Sequence, residues 1–313
     1  MRRPSTSPKA EQSLEGKEDG DPNAGSSMYE RFLDLRKQGH ELKIRYLESE
    51  RDDNRSNQQH VLFIHGLGSS ADRWLDIPDA LSLYFHTIAI DLPGFGGSDK
   101  PQDVEYNIEL FSTILMEFMN EVGIAGEAGG HRKEKTSLIG HSLGGYIASR
   151  IAASADNIQF LDKLVLVDSS GNLEKPTPLL EQYLDAAMNP STVKVRNVFE
   201  QMVSNPLIVS DLLINGFIGR INAPGAKHAF KSALDNSANT QIGIETLRRI
   251  GDNGMPTLIL WGSEDKVIPS EHSKIFKEAI NNSTSTIIPA TGHAPFTEKP
   301  ALVCEYLHRF LIK

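Results

Sequence analysis

The chain runs to 313 residues with 39% hydrophobic content, enough for one large core or two modest domains. A formal net charge of −9, with no block of Lys and Arg, argues against binding a phosphate backbone through counterion release. A single cysteine excludes an internal disulfide, and no uncharged apolar run approaches the roughly 18 residues that span a bilayer. A soluble, cytoplasmic protein is therefore expected, with no nucleic acid partner and no stable membrane insertion. Cys304, in an amphipathic C-terminal pattern, reads as a small apolar packing residue.

Residues 1–27 are rich in Ser, Pro, Gly, Glu and Lys and lack the apolar centre of a signal peptide, so a disordered tail is expected there. Two partly alternating runs, residues 32–35 and 42–46 around Gln38-Gly39, predict an antiparallel pair at a sheet edge. Residues 48–57 read as a charged loop. The run "VLFIH" (61–65) then opens a series of continuous apolar stretches, the signature of strands covered on both faces. The others are 87–91, 136–140, 163–168, 257–262 and 285–289, and helical periods at 73–82, 108–122, 143–155, 270–280 and 297–311 lie between most of them. Strand and helix alternating in this way predict an α/β fold with parallel pairing, because each crossover returns the chain to the same end of the sheet. The interval 171–254 holds no convincing strand but several amphipathic pieces punctuated by prolines. It is predicted to be a helical cap inserted in a core made of residues 28–170 and 255–313. Residues 127–135 read as a solvated loop.

The stretch "LIGHSLGGY" (138–146) carries the chemistry. The strand ending at Gly140 must turn sharply into a helix starting near Leu143, which forces Ser142 into a strained backbone conformation with its oxygen exposed above the sheet. Gly140 and Gly144 supply the small neighbours that such a turn needs. The helix N-terminus offers free N–H groups, notably that of Leu143, to negative charge forming beside Ser142. A serine nucleophile needs a base and an orienting acid. Among the histidines, His293 stands just past the last predicted strand, in a loop able to hang over the edge where Ser142 emerges. The acid should come from another strand end. Asp265 is chosen over Glu264 because Val267, Ile268 and Pro269 would fold the loop back and turn Asp265 inward; Asp168, ending strand 163–168, is the rival. A second oxyanion donor is expected from the Leu67 N–H in "HGLGSS" (65–70), with His65 bracing that loop. The run "GFGGSD" is no dinucleotide fingerprint, since its third glycine is missing and Pro93 and Pro101 crowd the place of the helix. With no P-loop, H-E-x-x-H or cysteine cluster in the sequence, no cofactor or metal is expected.

With Ser142, Asp265 and His293 in that order, "HGLG" near the start and "DLPGFGGSDKP" (91–101), the chain from residue 28 onward resembles a serine hydrolase of the α/β-hydrolase superfamily. The resemblance implies a mostly parallel sheet of about eight strands with a cap inserted after the sixth. It also implies acyl transfer to water on a carboxylic ester of small to medium acyl chain. Lactonases and carbon–carbon bond hydrolases share the same three residues, and some relatives are non-catalytic ligand receptors, so these alternatives stay open. A carbon–carbon hydrolase would place a cation in the cap against a substrate carboxylate; Arg196, Arg220 and Lys227 are available.

Overall fold

The computed structural model describes residues 28–37, 40–50, 58–74, 76–125, 134–238 and 240–313. The expected tail over residues 1–27, the Gln38-Gly39 turn and most of the loops at 48–57 and 127–135 lie outside them. The strands in chain order are β1 (Met28–Lys37), β2 (His40–Ser49), β3 (His60–Ile64), β4 (His86–Ile90), β5 (Thr136–His141), β6 (Leu161–Val167), β7 (Thr257–Gly262) and β8 (Ser283–Ile288). They form one eight-stranded sheet in the order β1-β2-β4-β3-β5-β6-β7-β8. β1 pairs antiparallel with β2 and β2 with β4, while every pairing from β4 onward is parallel.

The continuous apolar runs are explained by what covers them. Residues of β3, β4, β5 and β7 are buried throughout. Their side chains alternate between two cores, as the period of two requires: Leu62, Ile64, Leu164, Leu166 and Ile259 face one, whereas Val61, Phe63, Val165, Val167 and Leu258 face the other. The second core is closed by α1 (Asp76–Leu81) and by a later helix, while α2 (Ile108–Glu121) and α3 (Leu143–Ala152) close the first. α2 starts where Asn107 accepts a hydrogen bond from the Leu110 N–H at 2.8 Å, and it buries Phe111, Leu115 and Phe118. Burial of this kind contributes roughly 25 cal/mol per Å² of apolar surface.

Between β6 and β7 the described residues form helices and no strand: α4 (Pro178–Met188), α5 (Thr192–Met202), α6 (Asp211–Ile221), α7 (Ala226–Ala238) and α8 (Ile244–Asp252). Thr177, Ser191 and Ser210 cap α4, α5 and α6 through their side-chain oxygens. α4 to α7 pack on one another, whereas α8 packs on α3 and on α9 (His272–Ala279), so it belongs with the helices flanking the sheet although the predicted cap interval ran through it to 254. Its sequence is as amphipathic as the others, and only the partner distinguishes it. The chain then finishes with α10 (Pro295–Glu298) and α11 (Pro300–Leu311), the latter closing the second core with Val303 and Leu307. The single helix expected over 297–311 is thus interrupted. Lys299 lies outside the helical region (φ −137°, ψ 60°), because the Pro300 ring disfavours helical geometry in the residue before it. The helix expected over 73–82 is likewise divided, into a 3₁₀ turn at Ala71–Trp74 and α1. Cys304 on α11 is half-buried against the second core.

Candidate active site

The parallel strands end at one edge of the sheet, and the segments following β3, β5, β7 and β8 meet there. Between β5 and α3 a single residue turns the chain: Ser142 has φ 51° and ψ −118°, a conformation that residues with a side chain rarely adopt. Several bonds hold it there. Its N–H donates to the Val167 carbonyl at 3.0 Å and its carbonyl accepts from the Ser170 N–H at 3.0 Å. A Cβ at Gly140 would collide with the Gly144 carbonyl, one at Gly144 with the Ile64 carbonyl, and one at Gly66 would sit 3.0 Å from Ser142 Cβ. The glycines around the serine therefore answer to contacts across three chain segments.

His293 follows β8. Its Nδ1–H donates to Asp265 Oδ2 at 2.8 Å, its N–H donates to the Met202 carbonyl at the end of α5 at 2.7 Å, and its own carbonyl accepts from His141 Nε2 at 2.7 Å. Asp265 is buried, and its Oδ1 accepts from the N–H groups of Val267 (2.8 Å) and Ile268 (3.0 Å). The loop is braced by the Trp261 indole, which donates to the Ile268 carbonyl at 2.9 Å. Glu264 is exposed and accepts from the Ser204 hydroxyl. Ser142 and His293 line the same cavity, but their side chains share no hydrogen bond in this arrangement; the one direct link among the three residues is that between His293 and Asp265. Sequence reasoning left His141 without a role. Burial, reinforced by His293, holds it neutral with a pKa well below the usual histidine value, so its Nε2–H serves to anchor the His293 backbone.

The remaining predicted groups are near. No acceptor among the described residues takes the N–H of Leu67 or of Leu143, although Leu143 is buried. His65 spans two loops, donating from Nδ1 to the Gly66 carbonyl at 2.8 Å and accepting the Leu92 N–H at 3.0 Å on Nε2; burial lowers its pKa, so it stays neutral. The cavity over Ser142 encloses about 110 Å³. Its walls are mostly apolar, with Leu180, Tyr183, Phe199, Met202 and Phe217 from the inserted helices and Val267 from the core. The Tyr183 hydroxyl donates to the Leu67 carbonyl at 3.3 Å, tying α4 to the loop after β3.

Asp168 follows β6 directly, with φ 44°, and accepts the Gly262 N–H at 2.8 Å on Oδ1. Oxygen atoms of Asp168 and Asp265 and a ring nitrogen of His293 lie within 4.8 Å of one another. Burial, and then the charge of Asp265, push the Asp168 carboxyl well above the usual carboxylate range. Unfolded, an aspartate ionises near pH 4. The native state then binds a proton that the unfolded state has released, and stability falls as pH rises from about 4 toward the native pKa, by about 1.4 kcal/mol per unit. Asp168→Asn keeps the acceptor for Gly262 and removes this titration. Denaturant melts should show the variant gaining on the wild type as pH rises above about 4; a difference that stays constant as pH rises would contradict a raised Asp168 pKa.

A family model described as alpha/beta hydrolase fold matches residues 59–300. The chain belongs to the α/β-hydrolase family. Lipase 3 of Moraxella sp. is 29% identical over 247 residues, covering 76% of this chain and 72% of that protein. The 2-hydroxy-6-oxo-6-(2'-aminophenyl)hexa-2,4-dienoic acid hydrolase of Metapseudomonas resinovorans is 26% identical over 268 residues, covering 83% and 84%. A solved structure of a meta-cleavage product hydrolase from Pseudomonas fluorescens shares the fold, with a TM-score of 0.73 at 23% identity over 86% of this chain and 94% of that one. Among the described residues no helix is long and apolar enough to cross a membrane.

Proposed function

We propose that the protein hydrolyses carboxylic esters of small to medium acyl chain through an acyl-enzyme on Ser142. The observation that carries this reading is the 2.8 Å bond from His293 Nδ1 to buried Asp265, made at the cavity which Ser142 also lines. That bond sets the tautomer: with its proton on Nδ1, His293 presents a basic Nε2. Ser142 Oγ loses its proton to Nε2 as it attacks the ester carbonyl, and such serine–histidine bonds commonly tighten only once substrate is bound. The Leu67 and Leu143 N–H groups take the oxyanion, each donor of this kind contributing roughly 10²- to 10³-fold in rate. His293 then gives its proton to the departing alcohol oxygen. Water, deprotonated by the same nitrogen, attacks the acyl carbon, and the carboxylic acid leaves with Ser142 restored. The steps draw on protein groups and water alone.

The lipase relative supports an ester substrate; the dienoic acid hydrolase relative supports a second reading, cleavage of a carbon–carbon bond with the same residues. A panel of p-nitrophenyl acetate, butyrate, octanoate and palmitate, a γ-lactone and a 2-hydroxy-6-oxo-dienoic acid separates them. The largest kcat/KM is expected on an ester of acetate to octanoate length. A preference for the dienoic acid of more than tenfold over every ester would replace the ester reading with the second one.

A further inference from the structure

We propose that Arg73 and Arg220 form an anion subsite inside this cavity, so that the preferred substrate carries a carboxylate besides the bond that is cleaved. The proposal rests on the ester reading for the identity of that bond. Arg73 comes from the 3₁₀ turn after β3 and Arg220 from α6, and both line the cavity over Ser142, whose lining includes no Asp or Glu.

Elsewhere the arginines near this region are neutralised. Arg45 is held by Glu30, Asp72 and Asp91, and Arg196 by Glu200 and Asp211. Arg73 and Arg220 differ. Among the described residues neither makes a salt bridge. Arg73 has one hydrogen bond, from Nη2 to Thr297 Oγ1 at 3.3 Å, and Arg220 Nε is buried with no partner. Of the three cap cations open at the sequence level, Arg196 is thus paired with acids and Lys227 is bonded to the Met188 carbonyl, leaving Arg220 as the one that fronts the cavity.

Two guanidinium groups facing apolar walls without a counter-charge are costly to keep, since burial penalises the charge and the two repel. The pKa of Arg73 is lowered by that burial and, next, by Arg220. A carboxylate offsets both terms, and its planar pair of oxygens matches the fork of donors that each guanidinium leaves free. The anion can sit on the acyl side of the ester or on the alcohol side; the chemistry recognised is the same.

Two matched pairs distinguish the sides: p-nitrophenyl butyrate with mono-p-nitrophenyl glutarate, and phenyl butyrate with 4-butyryloxybenzoate. In at least one pair the anionic member is expected to have a kcat/KM tenfold or more above its neutral partner, a difference of about 1.4 kcal/mol. That ratio should fall at least tenfold in Arg73→Gln and in Arg220→Gln. A neutral preference in both pairs, or a ratio unmoved by both substitutions, would overturn the subsite. Calorimetric titration of Ser142→Ala with glutarate and with benzoate reads the subsite without turnover. Binding that Arg220→Gln abolishes supports it, and absence of binding by both anions together with absence of any charge preference refutes it. Anion binding without hydrolysis of any ester would remove the ester reading alone, whereas hydrolysis indifferent to charge would remove the subsite alone.

Discussion

Ser142→Ala is expected to lower kcat/KM on p-nitrophenyl butyrate by roughly 10⁵- to 10⁶-fold, the loss typical of removing a serine nucleophile. The fold should be untouched. The strain at residue 142 comes from its backbone, with φ at 51°, and alanine carries the same Cβ into the same conformation. The bonds that fix the turn, from the Ser142 N–H to Val167 and from Ser170 to the Ser142 carbonyl, use main-chain atoms alone. Circular dichroism and the melting temperature should therefore match the wild type while the activity vanishes. Retention of even a tenth of the activity would mean that another group attacks the ester.

Asp265→Asn is expected to cost about 10⁴-fold in kcat, with KM changing far less. The asparagine Oδ1 can still accept the Val267 and Ile268 N–H groups, so the loop keeps its shape. Its amide nitrogen would then face His293 Nδ1, where the carboxylate now accepts a proton-bearing nitrogen at 2.8 Å. An amide donor there forces the proton onto Nε2, the nitrogen that receives the Ser142 proton in the proposed mechanism. Asp168 is within 4.8 Å, but burial, the larger cause of its raised pKa, persists when Asp265 is replaced and disfavours its carboxylate form, which leaves it a poor substitute. Parallel kinetics on Asp265→Asn and Asp168→Asn decide between the two acids. A deep loss in the second with a mild one in the first would assign the orienting role to Asp168 instead.

The extent to which the chain reveals itself differs from element to element. β3, β4, β5 and β7 were legible because strands buried on both faces must be apolar at every position, and residues 171–254 stood out because they lack any such run. The orientation of Asp265 was legible as well, since the apolar Val267 and Ile268 immediately beyond it fold back and deliver their N–H groups to its carboxylate, while Glu264 stays exposed. The break at Lys299 could have been read from Pro300 alone. Other features depend on contacts between distant positions. His141 acquires its role from a carbonyl 152 positions downstream. Its place at the end of a buried strand, next to the serine, was the available signal. Arg220 looks like an ordinary solvated arginine until α6 is seen to line the cavity over Ser142, and α8 is distinguished from α4–α7 only by packing on α3 and α9. The raised pKa of Asp168 comes from its burial and then from the charge of Asp265, which no local pattern records.

The central claim is that a serine at the sheet edge is made nucleophilic by a histidine whose tautomer is fixed by a buried aspartate. Incubation with a fluorophosphonate probe, followed by peptide mass spectrometry, tests it most directly. One equivalent of probe is expected on the peptide containing Ser142, with the labelling rate falling at least a hundredfold in His293→Ala and in Asp265→Asn. Labelling at another residue, no labelling at all, or a rate at Ser142 indifferent to both substitutions would contradict it.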